Sequence, residues 1–206
     1  MSVIPSISTA DKYVNHLDKV VRRDPGRRSG LRRGLGRPVD DAMVRKAHAV
    51  VVPWLPVRPG PAVESAYYSV AALIAAQPSR RSEEEPEAEP AVSAQAADAQ
   101  EEPKRATTSI GGTLGLAVRD GKLNPTTVEE RLHLLCRQDL AGLHRHLPGL
   151  VRQLAAKEIT PDWGRLLVDL SSWGHGRDRV TKRWLQDFYR AMNSTTHDNG
   201  SESEDQ

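Results

Sequence analysis

Apolar residues in the first half of this chain recur with the period of an α-helix rather than that of a strand. Tyr13, Val14, Leu17, Val20 and Val21 fall on one face of a first helix, with Thr9 as its expected N-cap. Asp24 followed by Pro25 predicts the cap and first turn of a short second helix, because proline lacks an N–H that the first turn leaves unused anyway. Gly34 and Gly36 are expected to end it. Residues from Val39 to Val52 form a third candidate, although three valines before Pro53 also suit an extended piece. A fourth helix opens at Pro61 and turns Val63, Tyr67, Val70, Ala71 and Ile74 to one side.

The second half repeats the pattern. Asn124 and Pro125 predict a helix start, with Val128, Leu132, Leu135 and Cys136 as its apolar stripe. Leu140, Leu143, Leu147, Leu150, Val151 and Leu154 stay in phase along the next segment, which Pro148 is expected to kink or divide. Thr160 and Pro161 predict a further start, with Trp163, Leu166, Leu167 and Leu170 inward and Gly174 or Gly176 as the stop. Asp178 is the expected cap of a last helix whose inner face holds Val180, Trp184, Leu185 and Phe188.

Between the halves, residues 78–105 hold one large aliphatic side chain, Val92, among Pro, Glu, Ala and Ser, too little to bury a core. The expected architecture is all-α: two small helical bundles joined by a long acidic disordered linker. Residues 1–8 read as a flexible N-terminus, 9–77 as an N-terminal helical domain with a basic turn, 106–193 as a C-terminal helical bundle, and 194–206 as an acidic disordered tail.

Charge sharpens this picture. The formal net charge is only +2, but twelve of the 27 acidic residues lie in Glu83–Glu102 and Ser194–Gln206, which contain no Lys or Arg. Without those acids the remainder carries +14, a body suited to polyanions with an affinity that salt weakens. A single cysteine rules out an internal disulfide and, with no apolar leader at the N-terminus, suggests a reducing cytoplasm. No apolar run approaches the roughly 20 residues of a membrane-spanning helix.

Catalytic patterns are missing. The glycines of SGLRRGLG follow a helix and lack the Lys-Ser or Lys-Thr of a phosphate loop, while those of GGTLG at Gly111–Gly115 suit close helix packing. His144 and His146 are two residues apart, a spacing that points them to opposite sides of a helix, so both read as surface residues rather than metal ligands. Glu129 and Glu130 sit early in a helix, where its dipole favours acids. Neither a catalytic group nor a cofactor or metal is expected.

The arginines remain. Residues 19–37 contain eight basic side chains against Asp24 alone. Their pairs recur every five residues, a spacing that would spiral around one continuous helix. Pro25 and Gly26 break that spiral and let pairs on separate segments converge. Arg27 is expected at the core edge with its head in solvent, Arg28 and Arg32 on one flank, Arg33 outward, and Arg37 in a loop. A second group comprises Arg131, Arg137 and Arg145; a third comprises Arg177, Arg179, Lys182 and Arg183, with Asp178 and Asp187 near enough to neutralise part of it. Guanidinium suits phosphate because its planar fork donates two hydrogen bonds and keeps its charge, and the chain uses 22 Arg against 7 Lys.

At the level of motifs, residues from TSIGGTLGLAVRDGKLNP to LLVDLSSWG, followed by RWLQDFYRA, resemble the small subunit of the type I-E CRISPR Cascade, the CasB family. The shared features are a glycine-containing helix start, a basic leucine-rich helix pair closing in Asp162-Trp163, a Trp173-Gly174 pair and an LQDF-like end. YVNHLDKVVRRDPGRRSGLRRGLG resembles the family's first helix and basic turn, so the likeness spans most of residues 11–193. It implies a non-catalytic, two-domain helical protein, present in two copies beside other Cascade subunits and crRNA, that helps hold target and displaced DNA strands in the R-loop. By position, Arg32, Arg33, Arg137 and Arg145 match the basic surfaces implicated there. On composition alone, a helical sequence-specific DNA-binding regulator and a scaffold with only protein contacts remain open.

Overall fold

The computed structural model describes residues 3–78 and 107–194; the linker expected at 78–105 and the tail at 194–206 lie almost wholly outside them. The described residues form nine α-helices and no strand, so the chain is all-α as the periodicity predicts.

Helix α1 (Ile7–Arg23) is capped by Ser6, whose hydroxyl accepts the Thr9 N–H at 3.2 Å. The cap is thus three residues earlier than expected, and Thr9 lies in the first turn. Helix α2 (Pro25–Arg32) begins as Asp24 and Pro25 require, the Asp24 carboxylate accepting the Arg27 N–H at 2.8 Å. The third candidate resolves into a 3-10 segment (Ala42–Ala47), the short helix α3 (His48–Val51) and a 3-10 turn (Val52–Trp54), with no extended piece. Helix α4 (Pro61–Ala76) is central. Beyond the expected stripe it also buries Ala66, Ala72, Leu73 and Ala75, because α1 and α2 pack on it from the N-terminal half and α7 (Leu140–Ala155) and α8 (Trp163–Ser171) from the C-terminal half.

In the second half, α5 (Ile110–Arg119) lies along α9 (Trp173–Asn193) as the most extensive helix pair. A methyl group at Gly111 would overlap the carbonyl oxygen of Trp184, and one at Gly115 that of Phe188, so these glycines permit backbone-to-backbone approach. Helix α6 (Pro125–Arg137) starts at its Asn124 cap and buries Val128, Leu132, Leu135 and Cys136. Helix α7 continues through Pro148 undivided, held by its buried stripe from Leu143 to Leu154. Helix α8 starts at Trp163 rather than at Thr160 and Pro161, and Asp162 caps it by accepting the Arg165 N–H at 2.9 Å. The last helix starts at Trp173, five residues before Asp178, and absorbs the expected break as a non-helical Gly176 (φ −127°) inside it.

The two bundles share one apolar core. It passes from Tyr13, Leu17 and Tyr67 through α8 to Trp173, Trp184 and Phe188. This contact fixes the basic turn relative to the C-terminal half.

Candidate nucleic-acid interface

The arginines of α2 divide into different environments. Arg27 is exposed, its Nε 3.1 Å from Asp24, so the cap neutralises part of its charge. Arg28 turns inward instead: Nε donates to the Ala75 carbonyl at 3.2 Å and Nη2 to that of Gln77 at 2.6 Å. Those carbonyls belong to the end of α4, where a helix has no N–H to offer and its dipole favours a cation. Arg28 therefore caps α4 and leaves the flank it was expected to share with Arg32. Arg32 and Arg33 are exposed and make no ion pair among the described residues. Arg37 lies 3.0 Å from Asp41, whose carboxyl is held below the usual range by the Met43 N–H and by that guanidinium.

The structure adds cations to this surface. Arg22 and Arg23 end α1 in solvent. Arg45 and Lys46 are exposed on the 3-10 segment that packs on α2, with Lys46 Cβ 3.0 Å from the position of a Cβ at Gly30. Neither residue stands out in the sequence, where they form an ordinary Arg-Lys dipeptide; only the fold of residues 33–41 brings them beside α2.

In the C-terminal half, Arg131 donates to Gln153 at 2.6 Å, a neutral partner, and makes no ion pair among the described residues. Arg177 donates to the Arg137 carbonyl at 3.3 Å and so joins the second and third basic groups at the end of α6. Arg137, Arg145, Arg179 and Lys182 are exposed without an ion pair among the described residues. Arg183 is half-buried, 2.6 Å from Asp169, a fully buried carboxylate that also meets Arg165 at 3.0 Å and accepts the Trp184 Nε1–H at 2.6 Å. Burial pushes the Asp169 carboxyl up; the Trp184 N–H and two guanidiniums pull it back. Neither Asp178 nor Asp187 pairs with this group: Asp187 accepts from Ser109 at 2.7 Å and lies 3.8 Å from Arg190.

The first two basic groups meet at one turn. Gly36, at φ +70°, lets the chain leave α2 in a left-handed conformation, and a Cβ there would lie 3.9 Å from both the His144 carbonyl and the Pro148 ring. Arg37 and Arg145 consequently line the same cleft, about 870 Å³, along with the first turns of α4 and α7. His144, expected at the surface, is buried beside it: Nδ1 hydrogen-bonds Ser69 Oγ at 2.6 Å across the two halves, and burial lowers its pKa to about 4, so the ring is neutral. Cys136 is buried too, its thiol pushed up to about 11. No cluster of His, Cys, Asp and Glu is placed to hold a metal among the described residues, and no described helix is long and apolar enough to cross a membrane.

Fold and surface together define an all-helical protein that keeps its apolar side chains in one shared core and displays arginines on the outside, several without a counter-ion among the described residues. The family model of the CRISPR-associated protein Cse2 matches residues 27–189, and the chain belongs to that family, the small subunit of type I-E Cascade. A chain of a solved structure titled "CRISPR RNA-guided surveillance complex" is 38% identical, with a TM-score of 0.72, covering 90% of this chain and 94% of its own. Another, titled "CRISPR RNA-guided surveillance complex, pre-nicking", is 37% identical with a TM-score of 0.74 over the same shares. The M. ruber CasB crystal structure, 22% identical with a TM-score of 0.64 over 90% and 94% of the two chains, shares the fold. No curated protein sequence matches significantly.

Proposed function

We propose that this chain is a non-catalytic subunit of a crRNA-guided surveillance complex and stabilises the R-loop by gripping the sugar-phosphate backbone of the target and displaced strands. Its partners are crRNA, the other subunits and a second copy of itself. One observation carries the reading: Arg32, Arg33 and Arg145 are exposed without an ion pair among the described residues, and the turn at Gly36 sets the loop residue Arg37, just beyond α2, beside Arg145 of α7 on one cleft. Chains from two surveillance complexes at 37–38% identity support the setting.

Arg32, Arg33, Arg137, Arg145, Arg177, Arg179 and Lys182 are assigned to phosphate, with Arg27, Arg37 and Arg131 as supplementary contacts. Arg28 and Arg183 serve the fold, since both are engaged with internal acceptors. A surface of guanidiniums without stacking platforms suits sequence-independent holding, because phosphate contacts position a strand and do not read it. Guide pairing exchanges one duplex for another of similar stability, so modest contacts to the strands tip the balance.

The test is a reconstituted complex carrying Arg32→Ala, Arg33→Ala and Arg145→Ala together. Assembly should be intact and the R-loop lifetime roughly tenfold shorter, equivalent to about 1.4 kcal/mol. An unchanged lifetime would favour a scaffold with protein contacts alone.

A further inference from the structure

Helix α1 displays a row of cations apart from the arginines assigned above. Lys12, His16, Lys19 and Arg23 follow at spacings of four, three and four, which keeps them within a sector of about 60° over about 16 Å of the helix axis. Lys12, Lys19 and Arg23 are exposed and make no ion pair among the described residues. The acids of α1 lie to one side. Asp11 turns to α8, where a methyl group at Gly164 would meet its carboxylate, and Asp18 is half-buried, with Arg22 offsetting part of the rise that burial gives its pKa. Asp24, past the end of the row, is engaged by the Arg27 N–H and guanidinium.

An aromatic ring stands within this row. His16 rests against Trp54, ring centroids 5.2 Å apart at 40°, and the indole also meets Tyr13 at 5.6 Å. Tyr13 is fully buried, whereas His16 and Trp54 are half-buried. Trp173 and Trp184 donate their indole N–H to internal acceptors; that of Trp54 meets none among the described residues. Residues 42–63, which carry Trp54, include Arg45, Lys46 and Arg58 and no Asp or Glu. Packing on Tyr13 accounts for the inner contact of the indole, but not for three exposed cations in line with its neighbour His16. A half-exposed ring beside a row of cations is the pairing that holds single strands, the ring taking the face of a base and the cations its phosphates. Resting on the backbone-gripping reading above, we infer that α1 and Trp54 form a further single-strand site, where one base stacks on the indole while Lys12, Lys19 and Arg23 hold the flanking phosphates. Every base has a π face, so the site accepts any sequence. The row ends two residues before α2 begins at Pro25, so the strand continues from it towards Arg32 and Arg33.

The experiment uses the purified full-length chain and fluorescence anisotropy at low salt with two fluorescein-labelled strands: fifteen thymidines, and fifteen abasic spacers that keep the phosphates and lack the bases. The thymidine strand should bind about tenfold more tightly. Trp54→Leu, which keeps an apolar side chain on Tyr13, should bring that ratio close to one with the abasic affinity unchanged, and Trp54→Phe should restore a preference. Lys12→Ala, Lys19→Ala and Arg23→Ala together should weaken both strands and flatten the slope of log affinity against log salt by roughly 2. Equal binding of the two strands by the natural chain, a thymidine preference that survives Trp54→Leu in a folded variant, or a triple variant that binds as the natural chain does, overturns this site and leaves backbone gripping standing. Should Trp54→Leu fail to fold by circular dichroism, the triple variant, confined to exposed positions, decides. If neither strand binds the natural chain, backbone gripping fails, and this inference with it.

Discussion

Arg183 donates to Asp169 Oδ1 at 2.6 Å while Trp184, the next residue of α9, donates to the other oxygen of the same carboxylate. One buried acid thus sets both the rotation and the depth of α9 against α8. Replacing Asp169 with Ala leaves the indole N–H without an acceptor and removes the partner of two guanidiniums. A loss of about 3 kcal/mol is expected in denaturant unfolding. A loss under about 0.5 kcal/mol would show that the carboxylate is not what holds the two helices.

Arg28 and Arg33 are five residues apart but have separate tasks. Arg28→Ala removes two charge-assisted bonds to the end of α4 and should lower stability by about 1–2 kcal/mol, leaving the salt dependence of DNA binding as it was. Arg33→Ala should do the opposite. Urea melts and salt titrations of the two variants separate the effects.

Backbone gripping fixes a slope. If about five phosphates are neutralised, log affinity for a single strand against log salt concentration should fall with a slope of roughly −3.5. A response that stays flat across the titration is incompatible with arginine–phosphate contacts.

Two glycines test the α5–α9 contact, and a third on α7 serves as the control. Gly111→Ala and Gly115→Ala drive a methyl group into backbone atoms of α9 and should each cost about 3 kcal/mol or more. Gly149→Ala, on α7 with nothing within 4 Å of the new methyl, should stabilise by about 0.5–1 kcal/mol through helix propensity alone. Thermal unfolding of the three variants reports the difference in sign.

Burial lowers the His144 pKa to about 4 from an ordinary 6.5, so folding selects the neutral ring. The folded value lies below the unfolded one; hence the stability this group contributes is complete above about pH 6.5 and is lost as pH falls towards 4. The shift corresponds to about 3 kcal/mol at most. His144→Asn, which keeps a side chain able to hydrogen-bond Ser69, should show a flatter decline between pH 7 and 4.5 in urea midpoints. Parallel declines would assign the acid sensitivity to other groups.

Much of the fold was legible because helix starts are local. Asp24 with Pro25 and Asn124 with Pro125 act within four residues, and the structure opens α2 and α6 at those places. Thr9 and Asp178 failed as caps, and the start read at Thr160 and Pro161 moved to Trp163, because Ser6, Asp162 and the earlier start at Trp173 competed within the same few residues, and a stripe of apolar positions tolerates either boundary. The glycines of α5 were read correctly as a packing device, since a closely spaced pair on one helix face has few other uses.

The basic surface was only half legible. Composition and spacing determined that the chain is helical, that its apolar stripes must be buried in helical bundles, and that it carries far more guanidinium than its body can neutralise; that the two bundles share one core was decided by the tertiary structure. Which guanidiniums remain outside was decided by tertiary contacts: Arg28 meets carbonyls 47 and 49 residues away, Arg183 meets an acid on another helix, and His144 is buried against Ser69, 75 residues distant. A charge is free or engaged according to what the rest of the chain places within about 3 Å of it, and no local pattern contains that distance.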